Sequence, residues 1–302
     1  MSDSKPQTLV EESDAKIGTT GHDWDGIKEL NNPLPRWWLW TFYATIVWGV
    51  IYTVLYPAWP LVNGATAGVF GWSTRGEVAA EQAAFAQRNT PLANALAAAD
   101  LPQVAADTSG ELHRYAVSSG AAVFRTHCSQ CHGSGAAGAI GYPNLLDSDW
   151  LWGGSVSDIA MTVRHGIRND TDGDARWSQM PAFGEILSNA EIDAVVEHVR
   201  EISDQEHDIA LAATGAEVFA SNCASCHGDA GEGMRDEGAP DLSDAIWLYG
   251  GDRDALHTTV NQARFGVMPA WGARLSDAEV AAVATYVHQL GGGEAEIEKV
   301  HP

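Results

Sequence analysis

The longest uninterrupted apolar run of the chain lies near its start. It reads WWLWTFYATIVWGVIYTVLY from Trp37 to Tyr56, and no charged residue occurs between Arg36 and Arg75. About 20 such residues form a helix long enough to span the roughly 30 Å hydrocarbon layer of a bilayer. Tryptophan and tyrosine cluster at both ends, as interfacial belts require. The pattern predicts one transmembrane helix within residues 37–59; a buried core helix or a cleaved signal peptide are the alternatives.

The segments on either side of this span carry weaker patterns. Residues 1–36 are polar and are expected to be extended. Residues 60–112 are rich in alanine, and GEVAAEQAAFAQR from Gly76 and TPLANALAAA from Thr90 each suggest a short helix. This region is expected to form a stalk, which is either partly ordered against its neighbours or a loose linker.

Two similar repeats follow the stalk. They open with GAAVFRTHCSQCHG at Gly120 and GAEVFASNCASCHG at Gly215. They close with apolar-periodic helices that begin at Ser188 and Ser276, each serine being followed three residues later by the glutamate of a capping box. No sustained period-two alternation predicts strands, so the fold is expected to be mainly α-helical. The repeats define two modules and a tail, with bounds 113–204, 209–291 and 292–302.

Three further motifs recur inside each module. They are a Pro-x-Leu segment, a Trp-rich turn ending in Gly-Gly, and a Met-Pro pair followed by Ala, an aromatic residue and Gly. Their first residues are Pro143, Trp150 and Met180 in the first module and Pro240, Trp247 and Met268 in the second.

The charge balance is strongly acidic. The chain has 40 Asp and Glu against 17 Lys and Arg, for a formal net charge of -23. Such a field repels the phosphates of nucleic acid, which is therefore not an expected partner. It favours a basic protein partner and speeds its arrival at low salt. The alternative is a solvated acidic surface that serves only solubility.

All four cysteines of the chain lie in two Cys-x-x-Cys-His motifs. Such a pair can be a redox dithiol, half of a zinc site or the thioether anchor of a haem. The following histidine favours haem, because it can place an imidazole under the iron. The motifs are 95 residues apart, which argues against a shared zinc, and no βαβ pattern suggests a thioredoxin-like dithiol. We expect two covalently bound haem c groups, held by Cys128, Cys131, His132, Cys223, Cys226 and His227.

The sixth iron ligand decides between electron transfer and the binding of small ligands. Methionine closes this position and raises the reduction potential. Met180 and Met268 follow His132 and His227 by 48 and 41 residues, in loops bounded by Pro and Gly. We expect these methionines to be ligands, whereas core packing is the alternative. Two histidines could rival them, His165 and His257. Of the other methionines, Met161 is expected in a helix core and Met234 at the surface.

Each module resembles the class-I cytochrome c fold. In that fold a prolyl carbonyl holds the ligating imidazole, and Pro143 and Pro240 match its position. The Trp-rich turns are expected to line the haem edges, where an indole N–H could meet a haem carboxylate; an apolar wall is the alternative. The candidate side chains at these edges are Trp150, Trp152, Trp247, Arg168, Arg176 and Arg264.

The segment GHDWDGIKELNNPLPRWWLW, from Gly21 to Trp40, resembles the N-terminal signature of one particular family. That family is the diheme subunit, called III or P, of cbb3-type cytochrome c oxidase. The resemblance covers essentially the whole chain, since a single span, a stalk and two haem modules follow in the family's order. The segment contains no catalytic or haem-binding motif. We therefore expect Gly21–Trp38 to dock on the cytoplasmic side of the complex.

The resemblance implies a role in bacterial respiration at low oxygen. The subunit would accept electrons from a periplasmic cytochrome c and pass them to the monoheme cytochrome c subunit. They would then reach the catalytic haem–copper subunit, where oxygen becomes water and protons are pumped. The family also implies crossed ligation, in which each methionine serves the haem of the other module. Spacing favours ligation within each module, so both pairings of Met180 and Met268 remain open.

Two arguments predict the orientation in the bacterial inner membrane. More basic residues precede the span than follow it closely, which favours a cytoplasmic N-terminus. Haem c is attached outside the cytoplasmic membrane in bacteria, so the two modules are expected in the periplasm. The basic residues concerned are Lys5, Lys16, Lys28 and Arg36 before the span and Arg75 and Arg88 after it.

Two other functions compete with this interpretation. A membrane-anchored diheme subunit of a dehydrogenase would share the span and the modules, but it would lack the DGIKELNNPLPRWW signature. A diheme peroxidase would need one haem without a strong sixth ligand, which the two matched Met-Pro loops disfavour.

Overall fold

The computed structural model describes residues 18–296, except for the side chain of Asp23. Within this range the chain is mainly helical, as predicted. It divides into two compact units, Met1–Ala86 and Gln87–Pro302, which are described separately below. The sequence predictions for Lys5 and Lys16 and for most of the C-terminal tail lie outside the described residues.

A β-hairpin that the sequence analysis missed precedes the apolar helix. Strand β1 (Thr19–Trp24) pairs antiparallel with β2 (Ile27–Leu30). Asp25 and Gly26 connect them with φ of 52° and 89°, so both turn residues have the positive φ of a type I′ turn. The Asp-Gly dipeptide was the available signal. It was overlooked because the described strand residues are exposed on both faces, and no alternation marks them.

The predicted span is helix α1, Arg36–Leu55. It is the one helix of the described chain that is long and apolar enough to cross a membrane, and none of its residues is buried in the protein. Its last backbone hydrogen bond runs from Tyr56 N to Tyr52 O, because Pro57 has no N–H to continue the series. The helix therefore ends before residue 59. A minimal hairpin follows, with strands β3 (Pro60–Leu61) and β4 (Gly64–Ala65).

The alanine-rich region forms one long helix and one short helix. The two short helices predicted from the sequence are a single helix, α2 (Thr74–Ala97), which includes Pro91. Helix α3 (Leu101–Ala106) follows it. Leu96 and Val104 are buried in a cluster with Ala281 and Ala282 near the C-terminus. The last part of the stalk is therefore ordered against its neighbours.

Eight helices carry the two repeats. They are α4 (Glu111–Val123), α5 (Ser129–His132), α6 (Val156–His165), α7 (Asn189–Ile202), α8 (Ile209–Asn222), α9 (Ala224–His227), α10 (Arg253–Gln262) and α11 (Asp277–His288). The predicted capping boxes are present at both closing helices, where Ser188 and Ser276 each bond reciprocally with a glutamate. The capping boxes fix the first residues of α7 and α11, and these helices begin where the sequence predicts.

The two repeats exchange their closing helices. Opening helix α4 of the first repeat packs against α11, the closing helix of the second, while α7 packs against α8. Glycine allows both close contacts: a Cβ on Gly120 would lie 2.1 Å from Ala282 O, and one on Gly215 would lie 2.0 Å from Ala194 O. Ala194 and Ala282 each follow the capping serine by six residues, so the contacts are equivalent.

Each hydrophobic core therefore contains residues of both repeats. The first core joins Phe124, Val156, Ile159 and Val163 to Leu275, Val280, Val283 and Val287. The second joins Ile192, Val195, Val196 and Val199 to Phe219 and Leu256. The bounds 113–204 and 209–291 thus describe sequence repeats, each of which contributes to both cores.

The connection between α7 and α8 gives a physical reason for the exchange. Residues 203–208 are too few to carry the chain far, and short connections make consecutive helices antiparallel neighbours. Buried Glu197 strengthens this corner, because it accepts a hydrogen bond from Asp208 N at 2.7 Å and contacts Arg253 Nε at 2.8 Å. Because α7 packs on α8, α11 is the closing helix that remains to pack on α4.

Candidate haem-binding sites

The first Cys-x-x-Cys-His motif lies where the opening helix of the first repeat ends. A π-helical turn, Phe124–Cys128, leads into the short helix α5, which ends at Gly133 with a φ of 79°. Cys128 packs against the first core, whereas Cys131 is exposed. The Nδ1 atom of His132 lies 3.0 Å from Pro143 O.

The second motif has the same geometry. Helix α9 carries it and ends at Gly228, whose φ is also 79°. Cys223 packs against the second core, and the Nδ1 atom of His227 lies 3.1 Å from Pro240 O. The prediction that prolyl carbonyls hold both imidazoles is confirmed. Each ring is thereby oriented by its Nδ1, which leaves Nε2 as the atom that can bind a metal.

Burial sets the protonation of these side chains. It lowers the pKa of His132 and of His227, although the hydrogen bonds to Pro143 and Pro240 act in the opposite direction. The imidazoles are therefore neutral at neutral pH, which is the form that binds metal. Burial also raises the pKa of the Cys128 thiol to about 11, with a smaller contribution from Cys131.

Met268 lies at the first core, although it belongs to the second repeat. Its N–H donates to Ile167 O at 2.9 Å, and Ile167 N–H donates to Met268 O at 3.0 Å. Its side chain packs against the same core as Cys128. The structure therefore brings Met268 to the module that carries His132.

Met180 lies in a loop associated with the second core. Its side chain is partly buried, and the turn that follows, Phe183–Glu185, packs against α10 and α7. Gly184 allows this approach, because a Cβ there would lie 2.0 Å from Asn261 Oδ1. The turn after Met180 therefore packs on two helices of the second core, the core against which Cys223 also packs.

The two histidines considered as rival ligands both lie near carboxylates. His165 Nδ1 bonds Asp172, with distances of 3.2 and 3.1 Å to its two carboxylate oxygens. His257 Nε2 lies 3.9 Å from Asp193 Oδ1. Met234 is exposed, as predicted, but the prediction for Met161 is wrong: it is 46% exposed. The apolar face of α6 consists of Val156, Ile159 and Val163, and Met161 lies off that face.

The Trp-rich turns are fixed by contacts that the sequence did not indicate. The indole N–H of Trp150 donates to Gly292 O at 2.6 Å, so the start of the tail crosses to the first repeat. Within the described chain, Trp152 Nε1 is the buried side-chain polar atom that lacks a hydrogen-bond partner. Tyr249 occupies the position in the second repeat that Trp152 occupies in the first. The sequence analysis did not include Tyr249 among the candidate side chains at the haem edges. The repeat alignment was the available signal.

These features fit a haem group of the c type. The cysteines occur in pairs, and each pair is followed by a neutral imidazole that a prolyl carbonyl orients. An apolar core lies beside each motif. The fold and the sites define a membrane-anchored cytochrome c with tandem modules.

Comparison with known families makes this class more specific. The model of the N-terminal domain of cytochrome oxidase-cbb3, FixP, matches residues 16–63. The model of cytochrome c oxidase, cbb3-type, subunit III matches residues 116–199 and 210–287. The chain therefore belongs to the cbb3-type cytochrome c oxidase subunit III family, and the resemblance seen in the sequence is confirmed.

Individual relatives agree over nearly the full length. The cbb3-type cytochrome c oxidase subunit CcoP of Cereibacter sphaeroides is 60% identical over 278 residues, which are 91% of this chain and 95% of the relative. The CcoP subunit of Rhodobacter capsulatus is 53% identical, over 96% of this chain and 99% of the relative. The FixP subunit of Sinorhizobium medicae is 49% identical, over 92% and 96%.

Proposed function

We propose that this chain is the electron-entry subunit of a cbb3-type cytochrome c oxidase. It accepts electrons from a cytochrome c and passes them to the other subunits of the complex, which reduce oxygen to water and pump protons. The observation that carries this proposal is the pair of matched motifs in one compact unit, each with its imidazole held by a prolyl carbonyl.

Each motif holds one covalently attached haem c. The sulfur atoms of Cys128 and Cys131 form thioether bonds in the first module, and those of Cys223 and Cys226 do so in the second. When bound, haem c supplies a one-electron iron couple. His132 and His227 would bind iron through Nε2, while their Nδ1–H groups donate to the prolyl carbonyls. Met180 and Met268 would complete the two sets of iron ligands through their sulfur atoms.

The methionines are exchanged between the modules. Met268 serves the site of His132, and Met180 serves the site of His227. Two observations support this pairing: Met268 packs on the core that contains Cys128, and the Met180 loop packs on α10 and α7. The exchange of ligands then follows from the exchange of closing helices, because each Met-Pro loop immediately precedes its closing helix.

The haem modules lie in the periplasm and the N-terminus lies in the cytoplasm. Covalent attachment of haem c outside the cytoplasmic membrane supports this orientation. The excess of basic residues within residues 1–36 over those that closely follow the apolar run supports it as well. A single span then anchors the modules beside the membrane-embedded part of the oxidase.

The partners are of two kinds. Within the complex they are the monoheme cytochrome c subunit and the catalytic haem–copper subunit. The electron donor is a basic cytochrome c, soluble or membrane-bound, because the chain carries a formal charge of -23. Opposite charge on the donor raises the rate of encounter.

Haem content and ligand exchange test the proposal. Purified protein should retain two haem groups per chain after denaturation, as measured by mass spectrometry and pyridine haemochrome absorption. Met180→His or Met268→His should each lower one reduction potential and remove about half of the Fe–S absorption band near the red end of the spectrum. A high-spin haem in the intact protein would contradict a closed sixth position and would favour a peroxidase.

A second experiment tests the exchanged pairing. In a Cys128→Ala/Cys131→Ala variant that keeps only the second haem, Met180→His should shift the remaining potential, whereas Met268→His should not. The opposite result would establish ligation within each module. Density for the axial ligands in an electron cryo-microscopy map of the whole oxidase gives the same answer without substitutions.

A further inference from the structure

The uncharged stretch around the span is longer than a membrane crossing requires. Helix α1 ends at Leu55, but no charged residue follows Arg36 until Arg75. About 20 apolar residues are enough to cross the hydrocarbon layer. A further segment at a water-exposed surface would be expected to carry charge, because Asp, Glu, Lys and Arg make up 19% of the chain. The residues that follow α1 therefore have the composition of a membrane anchor, although they lie outside its helix.

After the β3–β4 hairpin the chain turns back onto the end of α1. The amide of Val69 donates to Val54 O at 3.0 Å, and the amide of Phe70 donates to Leu55 O at 3.1 Å. The last carbonyls of a helix have no partner within the helix itself. The returning chain thus satisfies two carbonyls that water would otherwise have to bind.

The returning chain is closely fitted to the helix. Gly68 has a φ of 71°, and a Cβ on it would lie 2.4 Å from Leu55 O. The ring of Tyr56 meets the rings of Phe70 and Trp72 edge to face, with centroids 5.5 and 5.8 Å apart. These contacts hold the loop beside the end of the span, so the loop lies at the depth of that helix end.

The hairpin pairs its own backbone and exposes apolar side chains. Thr66 N–H donates to Trp59 O at 2.9 Å, and Trp59 N–H donates to Thr66 Oγ1 at 3.1 Å. Internal pairing of backbone groups is what a lipid environment requires. Five large apolar side chains of the hairpin and the returning loop are 60% or more exposed: Trp59, Leu61, Val62, Val69 and Phe70. Such a patch marks a surface that contacts lipid or another protein.

We propose that residues 57–72 form a cap that lies in the lipid interface at the C-terminal end of the span, held there by its contacts with α1. Its apolar side chains contact the boundary between headgroups and acyl chains, where tryptophan is favoured. The partner is lipid, because the patch is continuous with the exposed apolar surface of α1 and contains no charged residue. The first part of the predicted stalk is thus part of the membrane anchor. This inference goes beyond the proposed function and does not depend on haem.

Photocross-linking in the assembled oxidase tests this inference. Val62→Bpa introduces the photoreactive p-benzoylphenylalanine into the full-length chain, and the oxidase is irradiated in liposomes of phosphatidylethanolamine and phosphatidylglycerol. Mass spectrometry of the chain then identifies what has bonded to position 62. Lipid adducts are expected, several-fold more abundant than in the control Ile209→Bpa, which alters an apolar residue of the haem-bearing unit that is 77% exposed.

Two results would overturn the inference. Adducts between position 62 and another oxidase subunit would show that protein covers the cap. Lipid adducts no more abundant at position 62 than at position 209 would show that the cap faces water.

Two glycine variants, each combined with Val62→Bpa, test how the cap is held. Gly68→Ala places a methyl group against Leu55 O and should reduce the lipid adducts several-fold, because the returning chain can no longer approach α1. Gly71→Ala is the matched control. Its φ of 58° imposes the same left-handed backbone, but no atom of the described chain lies within 4 Å of the added Cβ. This control should retain the adducts.

Equal amounts of lipid adduct in the two glycine variants would overturn the proposal that contact with α1 holds the cap in the interface. Haem content and copurifying subunits show whether each variant is assembled. The comparison of positions 62 and 209 requires neither glycine variant, so it decides where the cap lies even if Gly68→Ala fails to assemble.

Discussion

Gly120 lies in contact with the main-chain carbonyl of Ala282, and a Cβ on this glycine would be 2.1 Å from the carbonyl oxygen. The two residues belong to different repeats. Gly215 and Ala194 have the same relationship, at 2.0 Å. Both helix crossings thus depend on a glycine that lets two backbones touch, and these crossings hold each opening helix against the closing helix of the other repeat.

We predict that Gly120→Ala destabilises the haem-bearing unit although alanine is the better helix former. The added methyl group would force α4 and α11 apart, and such overpacking typically costs about 1–3 kcal/mol. Gly215→Ala should have a similar effect at α7 and α8. Thermal unfolding of the purified protein, followed by circular dichroism and haem absorption, measures the change.

Gly135→Ala is the matched control for both variants. Gly135 has no positive φ, and no atom lies within 4 Å of the position its Cβ would take. Its melting temperature should equal that of the unmodified protein. If Gly120→Ala melted at the same temperature too, the close helix contact would not be a determinant of stability.

Asp149 is predicted to make stability depend on pH. Burial, followed by the negative charges of Asp244, Asp147 and Asp241, raises the pKa of Asp149 to about 6, and Arg235 opposes this only in part. The folded state therefore binds a proton more tightly than the unfolded state does. The contribution of Asp149 to the free energy of unfolding falls as pH rises from about 4 to about 6.

Asp149→Asn should consequently raise the melting temperature at pH 7, and its advantage should disappear near pH 4. Melting curves at several pH values measure this difference. Asp229→Asn, which removes a charge from an exposed side chain, should leave the shape of the pH profile unchanged. A constant difference between Asp149→Asn and the unmodified protein across this range would contradict the assigned environment.

The N-terminal hairpin is predicted to dock on other subunits of the oxidase. Trp24 and Ile27 face each other across its turn and are 62% and 72% exposed in the isolated chain. Gly26→Val would place a β-branched residue at a φ of 89°, which strongly disfavours the type I′ turn. The variant should copurify with fewer oxidase subunits and retain its haem.

Asp25→Asn is the control for the hairpin, because Asn-Gly is an equally favourable type I′ turn. Its complex should assemble normally. Normal assembly of the Gly26→Val variant would mean that the hairpin serves only as an anchor at the membrane surface.

Electron entry from a basic cytochrome c is predicted to slow steeply with added salt. Four acidic residues, Asp229, Glu232, Asp236 and Glu237, follow the second haem motif, and the first three are exposed. Charges at the rim of an interface act mainly on the association rate. The Debye length falls from about 30 Å at 0.01 M salt to about 10 Å at 0.1 M, so stopped-flow reduction across this range should show the effect.

Neutralising these four residues should lower the rate at low salt and flatten its salt dependence. The control variant neutralises four carboxylates elsewhere on the same unit: Asp100, Asp107, Glu111 and Glu217. It should retain most of the salt dependence. Equal effects of the two variants would mean that net charge, and no particular docking rim, attracts the donor.

Much of the site could be predicted because its signals are local. Cys128, Cys131 and His132 are adjacent on one helical turn, and a short loop brings Pro143 to His132 whatever the rest of the chain does. The capping boxes at Ser188 and Ser276 likewise need only three residues. The hairpin at Asp25 was also local, but its exposed strands have no apolar face to mark them.

The sequence by itself determined the span, the two haem motifs, the candidate axial ligands and the starts of the closing helices. Only the tertiary structure decided which closing helix covers which opening helix, and hence that Met268 lies with Cys128 and that Trp152 reaches Gly238. The physical reason is that α7 and α11 have similar apolar faces. Such a face specifies that a helix must be covered, but the identity of its partner depends on chain connections and close backbone contacts that lie far apart in sequence.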